Sequence, residues 1–446
     1  MRRMLQALVS LFLLFIIVFS FGVPVSAKEL TPQTSGKGGS ITVTAKDGSP
    51  IGAVYVKWNK EVTPYTLVTD MEELSCGQNG FLHEFIALDT PSQNLTFQIP
   101  GDKPMGIYEI RIFTDNDVPA DVQIWEPACE RPDIMLISSH ADDEILFMGG
   151  IIPTYVPQGA RVQVVYMTEY WTTTPVREHE KLDGLWVDGL RTYPVCGNFK
   201  DVYCDNLADA EKKYNFDDLT AYVCECIERF QPQVIVTQDF NGEYGHGFHM
   251  ITANAVAQAL TQASFDVPKA YFHLYPENKI QMDLRVPIDS MGGKTALEIA
   301  KDAYLQHQSQ QWCWFYVSDS YKYSCADFGL YKTTVGPDET NSMLDHLELR
   351  ADQERRAEEE RAKQEQLEKE QAEIAEKEKL AKIDEQLAAF QKEAQDNARK
   401  AEEEMISLQK DLQHTRLLST ILIVGGILAL FLCVGLILYL SRRSSK

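Results

Sequence analysis

Six consecutive residues, Ser139-His140-Ala141-Asp142-Asp143-Glu144, pack three carboxylates and an imidazole into the turn after an apolar run. Adjacent acids repel one another, so a strand end tolerates them only where a cation or helix N-terminal amides offset the charge. Asp142 and Asp143 could serve as simple caps of the next helix, but His140 beside them adds a second ligand type that zinc takes. A second cluster, Asp239-Phe240-Asn241-Gly242-Glu243-Tyr244-Gly245-His246-Gly247-Phe248-His249, follows the apolar Val234–Thr237 and holds two of the nine histidines. A histidine pair three apart at a helix start is by itself a common accident. The two clusters together can converge on one crevice and offer His140, Asp143 and His249 with a fourth position left for water, the pattern of catalytic zinc.

Such convergence needs both motifs at the same edge of one sheet. From Pro132 onward, hydrophobic strands alternate with amphipathic helices, which predicts an α/β, Rossmann-like, doubly wound parallel sheet. The strands expected are Ile134–Ser138, Val162–Met167, Val234–Thr237 and Ala270–Leu274; the helices are Glu144–Tyr155, Glu178–Leu190, Asp217–Phe230 and Met250–Gln262. Ligands of open α/β sheets sit beyond the carboxyl ends of the strands, where both motifs begin.

The flanking text differs in kind. Residues 1–27 read as a signal peptide, with Arg2 and Arg3, an apolar run and small residues before Lys28. Residues 38–128 alternate short β-rich runs with turn residues, as in a small β-sandwich. Exposed aromatics there such as Trp58 or Tyr65 could stack on sugar rings, or could fill the core of a structural spacer. The hydrolase-like domain spans 129–343, followed over 344–416 by a charged helical stalk whose Leu380, Ile383, Leu387 and Phe390 form a brief coiled-coil seam suited to weak self-association. Residues 417–440 are apolar and long enough for one membrane crossing. The tail, 441–446, carries Arg442, Arg443 and Lys446, which places the C-terminus in the cytoplasm and the rest outside the cell.

The first motif resembles that of the zinc-dependent N-acetylglucosamine de-N-acetylases (LmbE-like), related to the glucosaminyl-phosphatidylinositol deacetylase and to the deacetylases of mycothiol and bacillithiol synthesis. Their first motif is Ala/Pro-His-Pro-Asp-Asp-Glu and their second ends His-Pro-Asp-His. The resemblance covers Pro132 to Phe272, with a weaker tail through Ala303–Gln310. It implies zinc, or iron(II), on His140, Asp143 and His249; Asp142 as the general base; and His246, with Tyr244, polarising the carbonyl or steadying its oxyanion. Arg177 falls where the family places an arginine that contacts sugar, and it could equally pair with Glu178 or Glu180 on a solvated face. Ala141 replaces the usual Pro, and Gly247-Phe248 replaces Pro-Asp. The second change removes a partner that would fix a histidine tautomer, a role open to Glu144, Asp239 or a backbone carbonyl.

An amide combines a poor electrophile with a poor leaving group. A metal answers the first problem, and an unligated carboxylate that takes a proton and returns it to the amine answers the second. The expected function is therefore extracellular de-N-acetylation of N-acetylglucosamine-containing glycans or glycosides. The alternatives are a zinc amidase of another N-acyl substrate and an inactive glycan-binding protein. An intact Asp142 argues against decay. The net charge of -23 leaves no basic track for nucleic acid. Eight of nine cysteines precede the spanning segment, which suits export and disulfides, with Cys196–Cys204 and Cys313–Cys325 as local candidates. Trp171, Trp186 and Trp312 could be sugar platforms or plain packing.

Overall fold

The computed structural model describes residues 27–37, 39–101 and 106–443. The predicted leader lies outside these residues except for Ala27, as do positions 444–446 of the tail. The chain up to Arg355 forms one compact unit, and Arg356 onward forms a second.

Nine strands open the first unit: β1 Glu29–Leu30, β2 Pro32–Lys37, β3 Ser40–Ala45, β4 Ile51–Trp58, β5 Tyr65–Val68, β6 Glu73–Cys76, β7 His83–Ser92, β8 Leu95–Gln98 and β9 Ile107–Phe113. They make two antiparallel sheets, ordered β1-β9-β4-β7 and β2-β3-β8-β5-β6. Alternation along the strands sends Val54, Val56 and Ile112 from one sheet, and Val43, Leu67 and Phe97 from the other, into one core. Trp58 and Tyr65 belong to that core at 3% exposure each. Their rings meet edge to face at 5.2 Å, and their polar ends both reach Glu84, so the reading of them as exposed sugar platforms is corrected.

The second sheet system carries the motifs. Its strands are β10 Ile134–Ser138, β11 Val162–Glu169, β12 Val195–Lys200, β13 Val234–Thr237, β14 Lys269–His273, β15 Lys279–Gln281 and β16 Asp327–Thr333, in the order β12-β11-β10-β13-β14-β16-β15. The five strands from β12 to β14 are parallel, whereas β16 pairs antiparallel with β14 and β15. The sheet is thus mixed rather than wholly parallel. Alternate strand residues serve two cores, Leu136, Val164 and Val236 on one face and Met135, Val165 and Ile235 on the other. Burial on both faces is why these strands read as unbroken apolar runs.

The helices of this unit are α1 Asp143–Leu146, α2 Ile151–Tyr155, α3 Val176–Val187, α4 Leu207–Lys213, α5 Phe216–Phe230, α6 Gly247–Gln262 and α7 Ala296–Tyr304. The single helix expected over Glu144–Tyr155 is broken between α1 and α2. The break coincides with Gly149 and Gly150, where a Cβ would lie 3.1 Å from Ala300 of α7 and 2.6 Å from Leu284. Both expected disulfides are absent, since all nine cysteines are free. Cys196 instead lies 3.1 Å from Lys181 Nζ, and Cys313 lies 3.1 Å from the Tyr304 hydroxyl.

The second unit lies within one uninterrupted helix, α8 Arg350–Arg443. By length and composition it contains a stretch able to cross a membrane.

Candidate active site

Along the sheet, the chain moves from β10 outward to β11 and β12 and then returns to lay β13 against the other side of β10. This reversal opens a crevice at the strand carboxyl ends, the usual ligand position in open α/β sheets. A cleft of about 480 Å³ lies here, lined by His140, Asp142, Asp143, Arg177, Tyr244 and His246 among others. Six of the seven residues singled out from the sequence therefore share one wall system. The seventh, His249, is fully buried and reaches the same cluster through its ring.

Three donor atoms meet at the floor. His140 Nδ1 is 2.9 Å from Asp143 Oδ2, His249 Nε2 is 3.1 Å from the same oxygen, and the two nitrogens are 3.2 Å apart. Asp143 is held from behind by Gln238 Nε2 at 3.0 Å and by the His140 amide at 3.0 Å. His140, His246 and His249 also offer ring nitrogens within 4.8 Å of one another, so a three-histidine set able to hold a metal overlaps the first. The carboxylate neighbours of the rings differ: His249 Nδ1 faces Glu243 Oε2 at 2.5 Å, and His140 Nε2 lies 3.4 Å from Asp201 Oδ1 as an ion pair without a hydrogen bond, while His246 Nδ1 is likewise buried without a hydrogen-bond partner. A carboxylate on the outer nitrogen fixes the tautomer that leaves a lone pair inward, the arrangement typical of ligating histidine. Both donor sets fit a zinc-like divalent cation, one through His140, Asp143 and His249 and the other through His140, His246 and His249.

Asp201 and Glu243 are the two carboxylates against these histidines that motif reading left unassigned. Asp201 follows β12 directly, and β12 itself was not expected; Glu243 stood in the second motif, six residues before His249. Neither Glu144 nor Asp239 takes the role suggested for them. Glu144 Oε2 accepts from the Asp142 amide at 2.9 Å, and Asp239 binds Asn241.

Electrostatics follow from this packing. Burial alone would hold the His140 and His249 rings neutral, but the carboxylates of Asp201, Asp143 and Glu243 outweigh it and push them up to about 9 and about 10. Burial and the two neighbouring imidazoles push His246 down to about 2, so it is a neutral ring. Burial raises Asp142 to about 7 against the opposing pull of Arg177.

Asp142 has φ 128° and ψ -28°, a conformation unfavourable for a residue with a Cβ. The buried Glu144 clamps its amide, and Arg177 Nη2 binds both its side chain at 3.0 Å and the Ala141 carbonyl at 2.5 Å. Arg177 also reaches Asp201 at 3.2 Å and stacks on Tyr170 at 4.3 Å. It is buried, which corrects the pairing with Glu178 or Glu180 on a solvated face; Glu178 binds Lys181 and Glu180 binds Ser309. Tyr244 stacks on His246 at 5.3 Å and meets Phe315 at a tilt at 4.5 Å. Of the three tryptophans, Trp186 packs on Trp125 and Arg191, Trp171 is partly buried against the core, and Trp312 stands at the cleft.

Residues 135–260 match the model of a protein family, PIG-L, described as GlcNAc-PI de-N-acetylase. Among curated proteins, the chain is similar to 1D-myo-inositol 2-acetamido-2-deoxy-alpha-D-glucopyranoside deacetylase of Mycolicibacterium gilvum, 27% identical over 194 residues, covering 38% of this chain and 68% of the relative. The enzyme of the same name from Mycolicibacterium vanbaalenii is 28% identical over 168 residues, covering 32% and 59%. Among solved structures, N,N'-diacetylchitobiose deacetylase from Pyrococcus horikoshii aligns with a TM-score of 0.30 at 16% identity, covering 40% of this chain and 70% of that one.

Proposed function

From a chain whose residues 135–260 are a PIG-L family domain, we propose a membrane-anchored, metal-dependent hydrolase that removes acetyl groups from N-acetylglucosamine-containing glycans outside the cell. The observation that carries this reading is the meeting of His140 Nδ1, Asp143 Oδ2 and His249 Nε2 within 3.2 Å, each imidazole backed by a carboxylate, with the strained Asp142 alongside. The named activity of the two mycolicibacterial relatives supports the acetamide as the group attacked.

His140, Asp143 and His249 would hold a zinc or iron(II) ion, which would supply Lewis acidity toward the acetamide carbonyl and water. Asp142, bound to Arg177 and facing the cleft, takes the proton from the attacking water and returns it to the departing amine. Arg177 pulls the carboxylate toward its ionised form against the burial that raises it, and Glu144 keeps its backbone in position. His246, a neutral ring that lines the cleft, donates to the carbonyl oxygen as negative charge builds there, with Tyr244 stacked beside it. No covalent enzyme intermediate is required.

The apolar stretch over Leu417–Leu440 anchors the protein, and the basic tail keeps its C-terminus in the cytoplasm. The seam at Leu380, Ile383, Leu387 and Phe390 is exposed along a single helix, which leaves it available for weak pairing of stalks. We read the two N-terminal sheets, with their shared core, as a small sandwich.

The test is acetate release from chitooligosaccharides and peptidoglycan fragments by the full chain in detergent, stripped of metal and reloaded with zinc, beside Asp142→Asn. Zinc-restored acetate is expected. The variant should still bind one zinc while losing about 10²–10⁴ in rate, the range for a general base. Zinc binding without acetate from any of these substrates overturns the reading.

A further inference from the structure

We propose that the aromatic run after α7 is a second-sugar subsite, so that the substrate is an oligomeric or polymeric glycan rather than a single glycoside; this rests on the deacetylase reading above. Between Gln311 and Val317, exposure alternates residue by residue. Trp312, Trp314 and Tyr316 stand exposed at 81%, 58% and 54%, while Cys313 and Phe315 between them are half-buried. The run begins in a turn closed by the Cys313 amide on the Gln310 carbonyl at 3.1 Å, and it presents Trp312 and Trp314 to the cleft together with Cys313 and Phe315. Tryptophan is highly buried on average, so two exposed ones in one short run are out of the ordinary.

The rings are joined to the site. Tyr244, beside His246, lies 4.5 Å from Phe315, and Phe315 lies 4.1 Å from Trp314. Trp312 and Trp314 both line the cleft whose floor holds Asp142 and His140. The run is also held from behind. Cys313 contacts the Tyr304 hydroxyl of α7, and Trp314 packs edge-on to Tyr321 at 6.3 Å with Lys322 5.5 Å above its ring. It is therefore a braced shelf, built at the mouth rather than the floor.

An acetamide placed over the buried Asp142 and His246 occupies the floor with its own sugar ring and leaves the outer tryptophan faces uncovered. A pyranose offers an apolar face of C–H groups with hydroxyls at its rim, complementary to a flat ring that is apolar on its face and wet at its edge. The neighbouring sugar of a chain already seated by its acetamide is the occupant that this geometry favours. An exposed apolar patch that opens directly into a cleft marks a ligand surface more than a packing accident.

The test compares the full chain in detergent with Trp312→Ala, Trp314→Ala and the conservative Trp312→Phe, on N-acetylglucosamine and its β-linked oligomers of two to six units. Tryptophan fluorescence reports binding and acetate release reports turnover. We expect kcat/KM to rise at least tenfold from monomer to trimer, the alanine variants to lose most of that ratio, and Trp312→Phe to keep part of it. Equal kcat/KM at all lengths, or variants that retain the wild-type ratio, overturns the subsite. Oligomer-induced quenching lost in Trp312→Ala, with no acetate from any oligomer, supports the shelf while sinking the deacetylase. Quenching by phosphatidylcholine vesicles that Trp312→Ala abolishes, with the length ratio unchanged, overturns it in favour of a lipid surface.

Discussion

Replacing Glu243 by Gln should weaken zinc binding about 10–100-fold, or about 1.4–2.7 kcal/mol, the range for removing an outer partner of a ligating histidine. The carboxylate serves three groups at once: His249 Nδ1 at 2.5 Å, His273 Nδ1 at 3.0 Å and the Asp239 amide at 3.1 Å. An amide has one acceptor oxygen and one donor nitrogen. With its nitrogen toward His249, that ring must hold its proton on Nε2, the atom that faces Asp143 and His140. With its nitrogen the other way round, two N–H groups confront each other at Asp239. Either way, one of the two negative charges that make His249 basic is gone, and Asp143 alone remains. The control is Glu144→Gln. Burial pushes Glu144 up to about 8, so at pH 7 it is mostly neutral already, and an amide oxygen can still accept from the Asp142 amide. Zinc affinity there should stay within about threefold of wild type, a small change on the scale set by outer partners. Competition against a chromophoric chelator reads both variants without any need for turnover. Unchanged affinity in Glu243→Gln together with a loss in Glu144→Gln would refute the assignment of outer partners.

Three further outcomes follow from the same geometry. Because His140 and His249 keep their protons up to about 9 and about 10 in the metal-free chain, zinc must displace up to two protons at neutral pH; affinity should fall as pH falls, and calorimetry in buffers of different ionisation enthalpy should count the protons, a count of zero contradicting the carboxylate-backed pair. Arg177 opposes the burial that raises Asp142 to about 7, so Arg177→Ala should move the acid limb of the rate profile to higher pH and lower activity at pH 7, with an acid-ward shift speaking against the pair. A Cβ at Gly184 would sit 2.9 Å from His307 Nε2 and 3.0 Å from Ile145, so Gly184→Ala should cost about 1–3 kcal/mol and lower Tm in a thermal melt; an unchanged Tm would mean that the close approach has slack.

The strands Ile134–Ser138 and Val234–Thr237 were legible to the residue, because double-sided burial leaves an apolar run that the polar motifs cut off sharply. The meeting of His140, Asp143 and His249 was legible for the same reason, since each motif starts where its strand stops. Less local features were not. The antiparallel β16 pairs Thr333 with Lys269, across a separation that no periodicity reports. Asp201 follows β12, a half-exposed strand without a strong apolar run, and no motif marks it. The break between α1 and α2 depends on how closely Ala300 and Leu284 approach two glycines, and only packing reveals that. Trp58 and Tyr65 illustrate the converse, since composition could not tell a platform from a core pair and Glu84 decided it.

Helix α3 ties two parts of the first unit together within three residues. Arg177 grips Asp142, and His179 lies 2.8 Å from His83 of β7, where Gln123 and Asp183 continue the network to Lys57 of β4. The antiparallel sheets therefore behave as a splint on the helix that aims the base, not as a detachable tag. Anyone wishing to trim this protein to a minimal catalyst, or to graft its N-terminal sheets onto another enzyme, would be cutting through the mount of the active site.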